Sequence, residues 1–298
     1  MRSNRDRSMD ENNLRWDIPY NRAFFKTSHN SFEKSIKNQL SFGLRGLEYD
    51  IHDDRIKEIE DFEVFHLRRS YDVALNLDGN PNDMLFSSWL QIINEWSIEQ
   101  NSQHAPITLF LELKESLVDL NNKPDEIYGL QKLDEVIINS FSQHKLYSYK
   151  DFKKNDYKWP EIKDLAGRVV IVLTSYWGGY WASSEGGYET RLDYLTNSLK
   201  NKNGICFVAW TQEDRGSKVS FLKEKVNFWK CSIEYNGKKQ NENVNLQRLT
   251  RIDFDKIIWG KHIKTYYKKN FKAGFRCNFP STDYWKSEKY DKCFPWSI

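Results

Sequence analysis

The sequence contains no long apolar segment and no strong excess of charge of one sign. No stretch approaches the ~18 apolar residues that suggest a membrane-spanning helix, and the first twenty residues, MRSNRDRSMDENNLRWDIPY, lack the apolar core of a secretory signal. The net charge of +3 is too small to indicate nucleic-acid binding. We therefore expect a monomer with no transmembrane segment and no nucleic-acid partner, either cytoplasmic or secreted after removal of a signal.

Two common sequence fingerprints are also missing. None of the four cysteines forms a C-x-x-C pair, which argues against a zinc site. Cys277 and Cys293 could form a disulfide that closes a C-terminal loop, or all four cysteines could be separate thiols. The absence of a Gly-x-Gly-x-x-Gly pattern argues against a dinucleotide-binding doubly wound sheet.

Short apolar runs alternate with segments of helical spacing throughout the 298 residues. Helices are predicted at residues 32–42, 85–99, 130–141, 191–199, 219–229 and 257–271. About eight runs have strand character: residues 23–27, 44–51, 62–67, 107–113, 168–174, 205–210, 246–254 and 275–279. This alternation predicts an α/β fold with a parallel sheet, and the number of units favours a single-domain TIM-type (β/α)₈ barrel. Residues 1–20 are predicted to be a polar N-terminal arm, and residues 21–298 a catalytic barrel.

Polar residues follow the first four apolar runs in a way that a purely structural core would not require. In an α/β barrel the carboxyl ends of the strands form the active site. Side chains that are far apart in the chain would therefore converge there. These are His29, Asn30, Glu48, Asp50, His66 and Glu112.

The residue types in this group suit a hard cation and proton transfer. Glu48 and Asp50 are two apart on one strand, so both side chains point to the same side. With the Asn30 amide and the Glu112 carboxylate they make an all-oxygen set, which Ca²⁺ or Mg²⁺ prefers over zinc. Two histidines and the nearby Lys114 suit chemistry on a phosphodiester.

Each of these residues taken alone has an ordinary interpretation. A Glu-x-Asp pair is more often surface charge than a ligand pair, and a single histidine at a strand end is more often structural. We expect the other four histidines, His52, His104, His144 and His262, to be structural. The joint pattern carries the argument, because every polar element follows an apolar run.

Several segments resemble the bacterial and fungal calcium-dependent phosphoinositide-specific phospholipase C family, which shares its barrel with the X-box half of the eukaryotic enzymes. They are TSHNS, QLSFGLRGLEYDIHDD, FEVFHL, PITLFLELKE, WPEIKDLAGRVVIVL, LTRIDFD and STDYW. The resemblance implies a TIM-type barrel and a Ca²⁺ ion. It also implies cleavage of phosphatidylinositol-type lipids by attack of an inositol hydroxyl on phosphorus, giving diacylglycerol and a cyclic inositol phosphate.

The same resemblance implies roles for individual residues. His29 and His66 correspond to the catalytic histidines. Arg251 and Tyr284 could reach the inositol headgroup, and Lys114 could contact the phosphate. Tyr49 stands where the family more often has leucine. The implied calcium ligands are Asn30, Glu48, Asp50 and Glu112.

An aromatic, glycine-rich segment, YWGGYWASSEGGY at residues 176–188, directly follows the predicted strand at residues 168–174. A loop in that position lies on the catalytic face of a barrel. Trp177, Tyr180 and Trp181 favour a bilayer interface, so we interpret the segment as a loop that meets the surface of the phospholipid substrate. The alternative is a loop that covers the barrel mouth.

Two other functions remain open. A glycerophosphodiester phosphodiesterase or a sphingomyelinase D-like enzyme would share the barrel, the first histidine and the Glu-x-Asp pair. Those diesterases usually carry Arg-Gly after the first histidine, whereas this chain has Asn30 and Ser31. A non-catalytic phosphoinositide-binding barrel would have no need for both His29 and His66.

Overall fold

The computed structural model describes residues 15–66, 72–114, 117, 128–175, 194, 204–211, 228–233, 249–254 and 278–282. The α-helices in these ranges are α1 (Ile36–Ser41), α2 (Ile56–Ile59), α3 (Phe86–Glu99), α4 (Tyr128–Phe141) and α5 (Tyr149–Lys154). The strands are β1 (Thr27–Ser28), β2 (Gly46–His52), β3 (Glu63–Val64), β4 (Ile107–Leu113), β5 (Val169–Ser175), β6 (Phe207–Thr211), β7 (Phe228–Ile233), β8 (Leu249–Phe254) and β9 (Phe279–Thr282).

The parallel strands form a closed ring in chain order. From β2 the sheet continues through β4, β5, β6, β7, β8 and β9, each parallel to its neighbour. β1 pairs with β9 on one side and, through Thr27 and Gly46, with β2 on the other. The pairings therefore return to their start, and the predicted TIM-type (β/α)₈ barrel is confirmed.

Two predictions about individual elements are wrong. The run at residues 62–67 was expected to be a barrel strand, but β3 is a two-residue strand that pairs antiparallel with β2. Residues 228–229 were expected to end a helix, but they begin β7. Apolar spacing typical of a helix continues from residue 219 into Phe228 and Trp229 without a glycine or proline to mark the change.

Alternation along β2 and β4 separates the barrel interior from the helix layer. The ring of Phe110 on β4 lies 5.1 Å from that of Phe279 on β9 and 6.2 Å from that of Phe228 on β7, so this residue points into the barrel. Tyr49 on β2 points outward, where its ring contacts Phe86 and Trp89 of α3. Since side chains alternate along a strand, the even-numbered positions of both strands face the interior.

The ring closes where β1 approaches β2 most closely. A methyl group added at Gly46 would lie 2.3 Å from Thr27 Oγ1 and 2.7 Å from its Cγ2. Thr27 is fully buried, and its hydroxyl donates a 3.0 Å hydrogen bond to the carbonyl of Phe25. Only glycine at position 46 leaves room for this pairing.

Buried apolar faces attach the helices to the barrel. α3 buries Phe86, Trp89, Leu90, Ile93 and Trp96, which share one helical face because they recur at intervals of three or four residues, with Trp89 and Leu90 adjacent. α1 ends just before Gly43, whose φ of 91° lies in the left-handed region that glycine adopts readily. Of the helices that the structure describes, none is both long enough and apolar enough to cross a bilayer.

The last residues of the predicted N-terminal arm contact the barrel. Tyr20 is fully buried and donates its backbone N–H to the carbonyl of Pro160 at 2.9 Å, while the carbonyls of Ile18 and Trp16 accept hydrogen bonds from Ile162 and Lys163. The division at residue 20 stays a prediction, since residues 1–14 lie outside the described ranges.

Candidate active site

His29 and Asn30 form a turn immediately after β1. Asn30 has a left-handed backbone conformation, with φ of 43°, which asparagine tolerates better than most residues. Its N–H donates a 3.1 Å hydrogen bond to Glu48 Oε2, and His29 Nε2 lies 3.6 Å from the same oxygen. The Asn30 side-chain amide donates to Glu33 Oε1 at 3.3 Å, so its role as a cation ligand stays a prediction.

A buried polar network behind this turn was not anticipated from the sequence. The hydroxyl of Ser28 contacts that of Ser31 at 2.6 Å and donates to the amide oxygen of Gln39. Gln39 Nε2 donates to the carbonyl of Ser31 at 2.8 Å, and the N–H of Glu48 donates to Ser31 Oγ at 2.8 Å. All three side chains are buried. The two serines flanking His-Asn were the available signal, because small hydroxyl residues commonly pin tight turns.

The strand register brings three carboxylates together on the interior face. Asp50 of β2 lies beside Glu112 of β4, and Glu48 is two residues before Asp50. One oxygen from each carboxylate lies within 4.8 Å of the others. The residues Glu48, Asp50 and Glu112 are 0%, 1% and 5% exposed respectively. Glu48 and Asp50 are within β2 rather than at its end, and they converge because they share its inner face.

This cluster has the properties of a site for a hard divalent cation. Oxygen ligands at about 2.3–2.6 Å from a Ca²⁺ ion would themselves be up to about 5 Å apart, which matches the separation of the three carboxylates. Asp50 Oδ1 is buried and has no hydrogen-bond partner among the described residues. Three buried negative charges need compensation, so the residues present fit a calcium ion.

His66 follows β3 and lies over the carboxylates. Its Nδ1 is 2.6 Å from Asp50 Oδ2, a distance typical of a short hydrogen bond between an imidazole N–H and a carboxylate. The antiparallel pairing of β3 with β2 turns the chain back towards the strand that carries Asp50. A segment that is not a barrel strand thus supplies a histidine to the barrel mouth.

Lys114 follows β4 and reaches into the same cluster. Its Nζ lies 2.5 Å from Glu112 Oε1 and 3.0 Å from Asp50 Oδ2, and 3.4 Å from His66 Nδ1. Burial alone would lower the pKa of this ammonium, but the charges of Glu112 and Asp50 outweigh burial and raise the pKa. Lys114 is therefore charged at neutral pH.

The two imidazoles are more exposed to solvent than the carboxylates that they contact. The His29 and His66 side chains are 34% and 29% exposed, so both are accessible from the barrel mouth. Two half-exposed imidazoles, each close to a buried carboxylate, can accept and donate protons on a substrate that contacts the mouth.

Two of the remaining histidines make contacts within the fold. His52 stacks on Phe65 with ring centroids 3.6 Å apart, and its Nε2 lies 3.0 Å from the carbonyl of Phe65. His104 is buried between Ser97 and the carbonyl of Ala105. These contacts agree with the structural roles expected for both residues.

Several predicted site residues cannot be placed in the cluster. Arg251 lies on β8, with its backbone in register with Lys230 and Phe279. The proposed headgroup residue Tyr284 and the aromatic segment at residues 176–188, with Trp177, Tyr180 and Trp181, lie outside the described residues. The same holds for Cys277 and Cys293, for the helix predicted at residues 257–271, and for residues 219–227 of the helix predicted at 219–229.

Comparison with known proteins gives matches among solved structures. Comparisons with protein-family models and with curated proteins find no match. One similar structure is a calcium-dependent phosphoinositol-specific phospholipase C from Pseudomonas sp., in a myoinositol complex. It is 17% identical, with a TM-score of 0.64, and the match covers 97% of this chain and 98% of that one.

A second similar structure is a Ca²⁺-dependent phosphatidylinositol-specific phospholipase C from Streptomyces antibioticus. It is 14% identical, with a TM-score of 0.62, and the match covers 90% of this chain and 96% of that one. At identities this low, the two structural matches show a shared barrel fold over nearly the whole chain and nothing beyond the fold. Any statement about chemistry must come from the residues at the mouth.

Proposed function

We propose that this protein is a Ca²⁺-dependent phosphodiesterase that cleaves phosphatidylinositol-type lipids to diacylglycerol and a cyclic inositol phosphate. The observation that carries the proposal is the arrangement of two accessible imidazoles over three buried carboxylates at one mouth of the barrel. A phosphodiester needs positive charge at its oxygens and proton transfer at two others, and this arrangement offers both.

The two histidines would handle the protons. An inositol hydroxyl next to the phosphodiester attacks phosphorus, and a new O–P bond forms while the bond from phosphorus to the glycerol oxygen breaks. One imidazole accepts the proton of the attacking hydroxyl, and the other donates a proton to the departing glycerol oxygen. In His66 the Nδ1 faces Asp50, so its transfer to substrate would use Nε2.

The carboxylates would hold the cation. Glu48, Asp50 and Glu112 are the proposed ligands, and the Asn30 side chain would join them by leaving Glu33. A bound Ca²⁺ ion would supply positive charge that polarises the phosphoryl oxygens and acidifies the attacking hydroxyl. The backbone N–H of Asn30 already donates a hydrogen bond to the Glu48 carboxylate and holds it in place.

The proposed substrate class is supported by the likeness to two structures whose names are phosphoinositol-specific and phosphatidylinositol-specific phospholipase C. Access to a lipid headgroup would come from the carboxyl edge of the sheet. There Thr174 of β5 lies beside Glu112, and the aromatic segment starts at the next residue after Ser175. Arg251 and Tyr284 remain the proposed contacts to the inositol ring.

The proposal is tested by following phosphatidylinositol cleavage with ³¹P NMR, in Ca²⁺ and in EDTA. We expect cyclic inositol phosphate from the wild type in Ca²⁺ only. His29→Ala and His66→Ala should each lower kcat by about 10²–10⁴-fold. His144→Ala is the matched control, because His144 is exposed in a short 3₁₀ turn after α4.

Different outcomes would contradict different parts of the proposal. Equal activity in Ca²⁺ and in EDTA would contradict the proposed role of the cation in the reaction. Release of glycerol phosphate or free choline from other phospholipids, with no inositol product, would instead favour a glycerophosphodiesterase or sphingomyelinase D-like enzyme.

A further inference from the structure

Lys114 occupies part of the space that the proposed cation would need. Its ammonium contacts Glu112 and Asp50, two of the three clustered carboxylates, and its side chain is only 6% exposed. The contact is built by the fold, because the N–H of Lys114 donates a 3.1 Å hydrogen bond to the carbonyl of Ile51 on the strand that carries Asp50. The fold thus places one ammonium group in contact with a cluster of three carboxylates.

One set of oxygens cannot serve both cations at once. A calcium ion bound to Asp50 and Glu112 would lie about 2.3–2.6 Å from their oxygens. The ammonium, at hydrogen-bond distance from the same oxygens, would then lie within a few ångströms of a double positive charge. Like charges this close repel strongly in a partly buried site, where the screening by water is weak.

We propose that Lys114 is a built-in competitor of the divalent cation. Its ammonium stabilises the metal-free carboxylate cluster, lowers the calcium affinity of the site, and leaves the cluster when calcium binds. Asp50 Oδ1 has no hydrogen-bond partner among the described residues. The lysine therefore offsets the charge of the cluster without bonding all of its oxygens, which supports its replacement by calcium.

The displaced ammonium has a short path to the barrel mouth. The backbone of Lys114 stays bound to β2, while its four-carbon stem rotates easily. The ammonium already lies 3.4 Å from Nδ1 of His66, which is partly exposed at the mouth. From there it would meet the substrate phosphate, and this last step rests on the proposed function.

The competition is tested by calorimetric titration of the protein with CaCl₂ after treatment with EDTA and dialysis. Lys114→Met removes the charge and keeps a long side chain, and we expect it to bind calcium roughly tenfold to a hundredfold more tightly than the wild type. Lys114→Arg keeps the charge and should bind weakly. Lys37→Met is the matched control, because Lys37 pairs with Glu99 outside the cluster.

Thermal unfolding separates competition from simple damage to the fold. Without calcium, Lys114→Met should unfold at a lower temperature than the wild type, and added calcium should raise its Tm more than it raises that of the wild type. Unchanged or weaker calcium binding by Lys114→Met would overturn the competition alone. No calcium binding by any variant would overturn the cation site as well.

The movement of the lysine has its own readout. Acylation by an amine-reactive ester, quantified at each lysine by mass spectrometry, should be slow at Lys114 in EDTA and several-fold faster in calcium. Lys37 should react at the same rate in both buffers. Equal protection of Lys114 with and without bound calcium would show that the ammonium stays in the cluster, and would overturn the displacement.

Discussion

At the scale of single residues, the turn that carries His29 depends on side chains that take no part in chemistry. Ser31 is the centre of this support, because it contacts Ser28, accepts from the N–H of Glu48, and has its carbonyl bound by Gln39. One small residue therefore links the histidine turn, the helix α1 and the strand of carboxylates.

Ser31→Ala should destabilise the protein although the change is small. The N–H of Glu48 and the hydroxyl of Ser28 would each lose a buried partner, which costs about 1–3 kcal/mol of unfolding free energy. Urea denaturation measures this loss. Ser140→Ala is the control, since the Ser140 hydroxyl donates to the carbonyl of Val136 within its own helix. Equal stability of the two variants would contradict the role of Ser31.

The sequence predicted which polar residues converge at the barrel mouth better than it predicted how they are held there. His29, His66, Glu48, Asp50 and Glu112 converge as expected. Because the Gln39 side chain lies between a helix and a strand end, its hydrogen bonds depend on tertiary packing, which residue spacing does not encode. The contact of Lys114 with two expected ligands has the same origin.

At the scale of elements, the predicted number of about eight barrel strands was right, although one of the segments assigned to the barrel was wrong. The apolar run around Phe62 and Val64 looks like a barrel strand, yet its antiparallel pairing makes it an accessory to β2. β7 was not predicted from the sequence, because its first apolar residues continue the helical spacing of the residues before them. The local spacing of apolar residues indicates which residues are buried. It does not distinguish a strand of the parallel ring from an accessory strand that pairs with one of its members.

Gly46→Ala should weaken the closure of the ring. The new methyl group would overlap the Thr27 side chain, and overpacking of this kind costs about 1–3 kcal/mol. Combining it with Thr27→Ala removes the two closest atoms, so the loss should be smaller in that background. Chemical denaturation of the four proteins in this double-mutant cycle gives the coupling, and strictly additive effects would contradict a steric cause.

The contact between α4 and the segment before β6 should depend on pH. Asp134 accepts a 2.7 Å hydrogen bond from the hydroxyl of Tyr194, which also accepts from the N–H groups of Ile205 and Cys206. Burial raises the pKa of Asp134 to about 6, against the opposing effect of the Tyr194 bond. The folded protein therefore holds this proton up to a higher pH than the unfolded chain does.

As pH rises from 4 to 7, ionisation of Asp134 should lower the stability of the wild type, because the folded state then loses a proton that the unfolded state has already released. Asp134→Asn cannot ionise and keeps the acceptor. It should match the wild type near pH 4 and exceed it at pH 7 by at most about 3 kcal/mol, less where water screens the carboxylate. A constant difference in urea denaturation at both pH values would contradict this.

At the scale of the whole molecule, a polar mouth and an aromatic interior share one barrel. Phe25, Phe110, Phe228 and Phe279 fill the interior below the carboxylates. The alternation of short runs and helical segments was enough to predict this architecture, because each βα unit repeats the same local pattern. It could not predict the closure at Thr27 and Gly46, which joins strands through one residue pair.

A lipid substrate requires that the mouth meet a membrane. Trp177→Ala with Trp181→Ala should reduce sedimentation with phosphatidylinositol vesicles several-fold while cleavage of a soluble short-chain substrate is kept, since aromatic side chains favour the interface. Tyr157→Ala is the control: Tyr157 is exposed near Trp159, which packs on Tyr20 at the opposite end of the barrel. Unchanged vesicle binding would contradict the membrane role of residues 176–188.

The position of β1 in the ring has a consequence for when the site comes into existence. β1 has two residues, and one of its two neighbours is β9, near the C-terminus; Asn278 also donates to the carbonyls of Asn21 and Ala23. A chain still emerging from the ribosome would contain both histidines and all three carboxylates long before it contains β9. Until β9 is made, the strand that precedes His29 lacks one of its two neighbours, so the candidate site should be complete only after residues 279–282 have been synthesised.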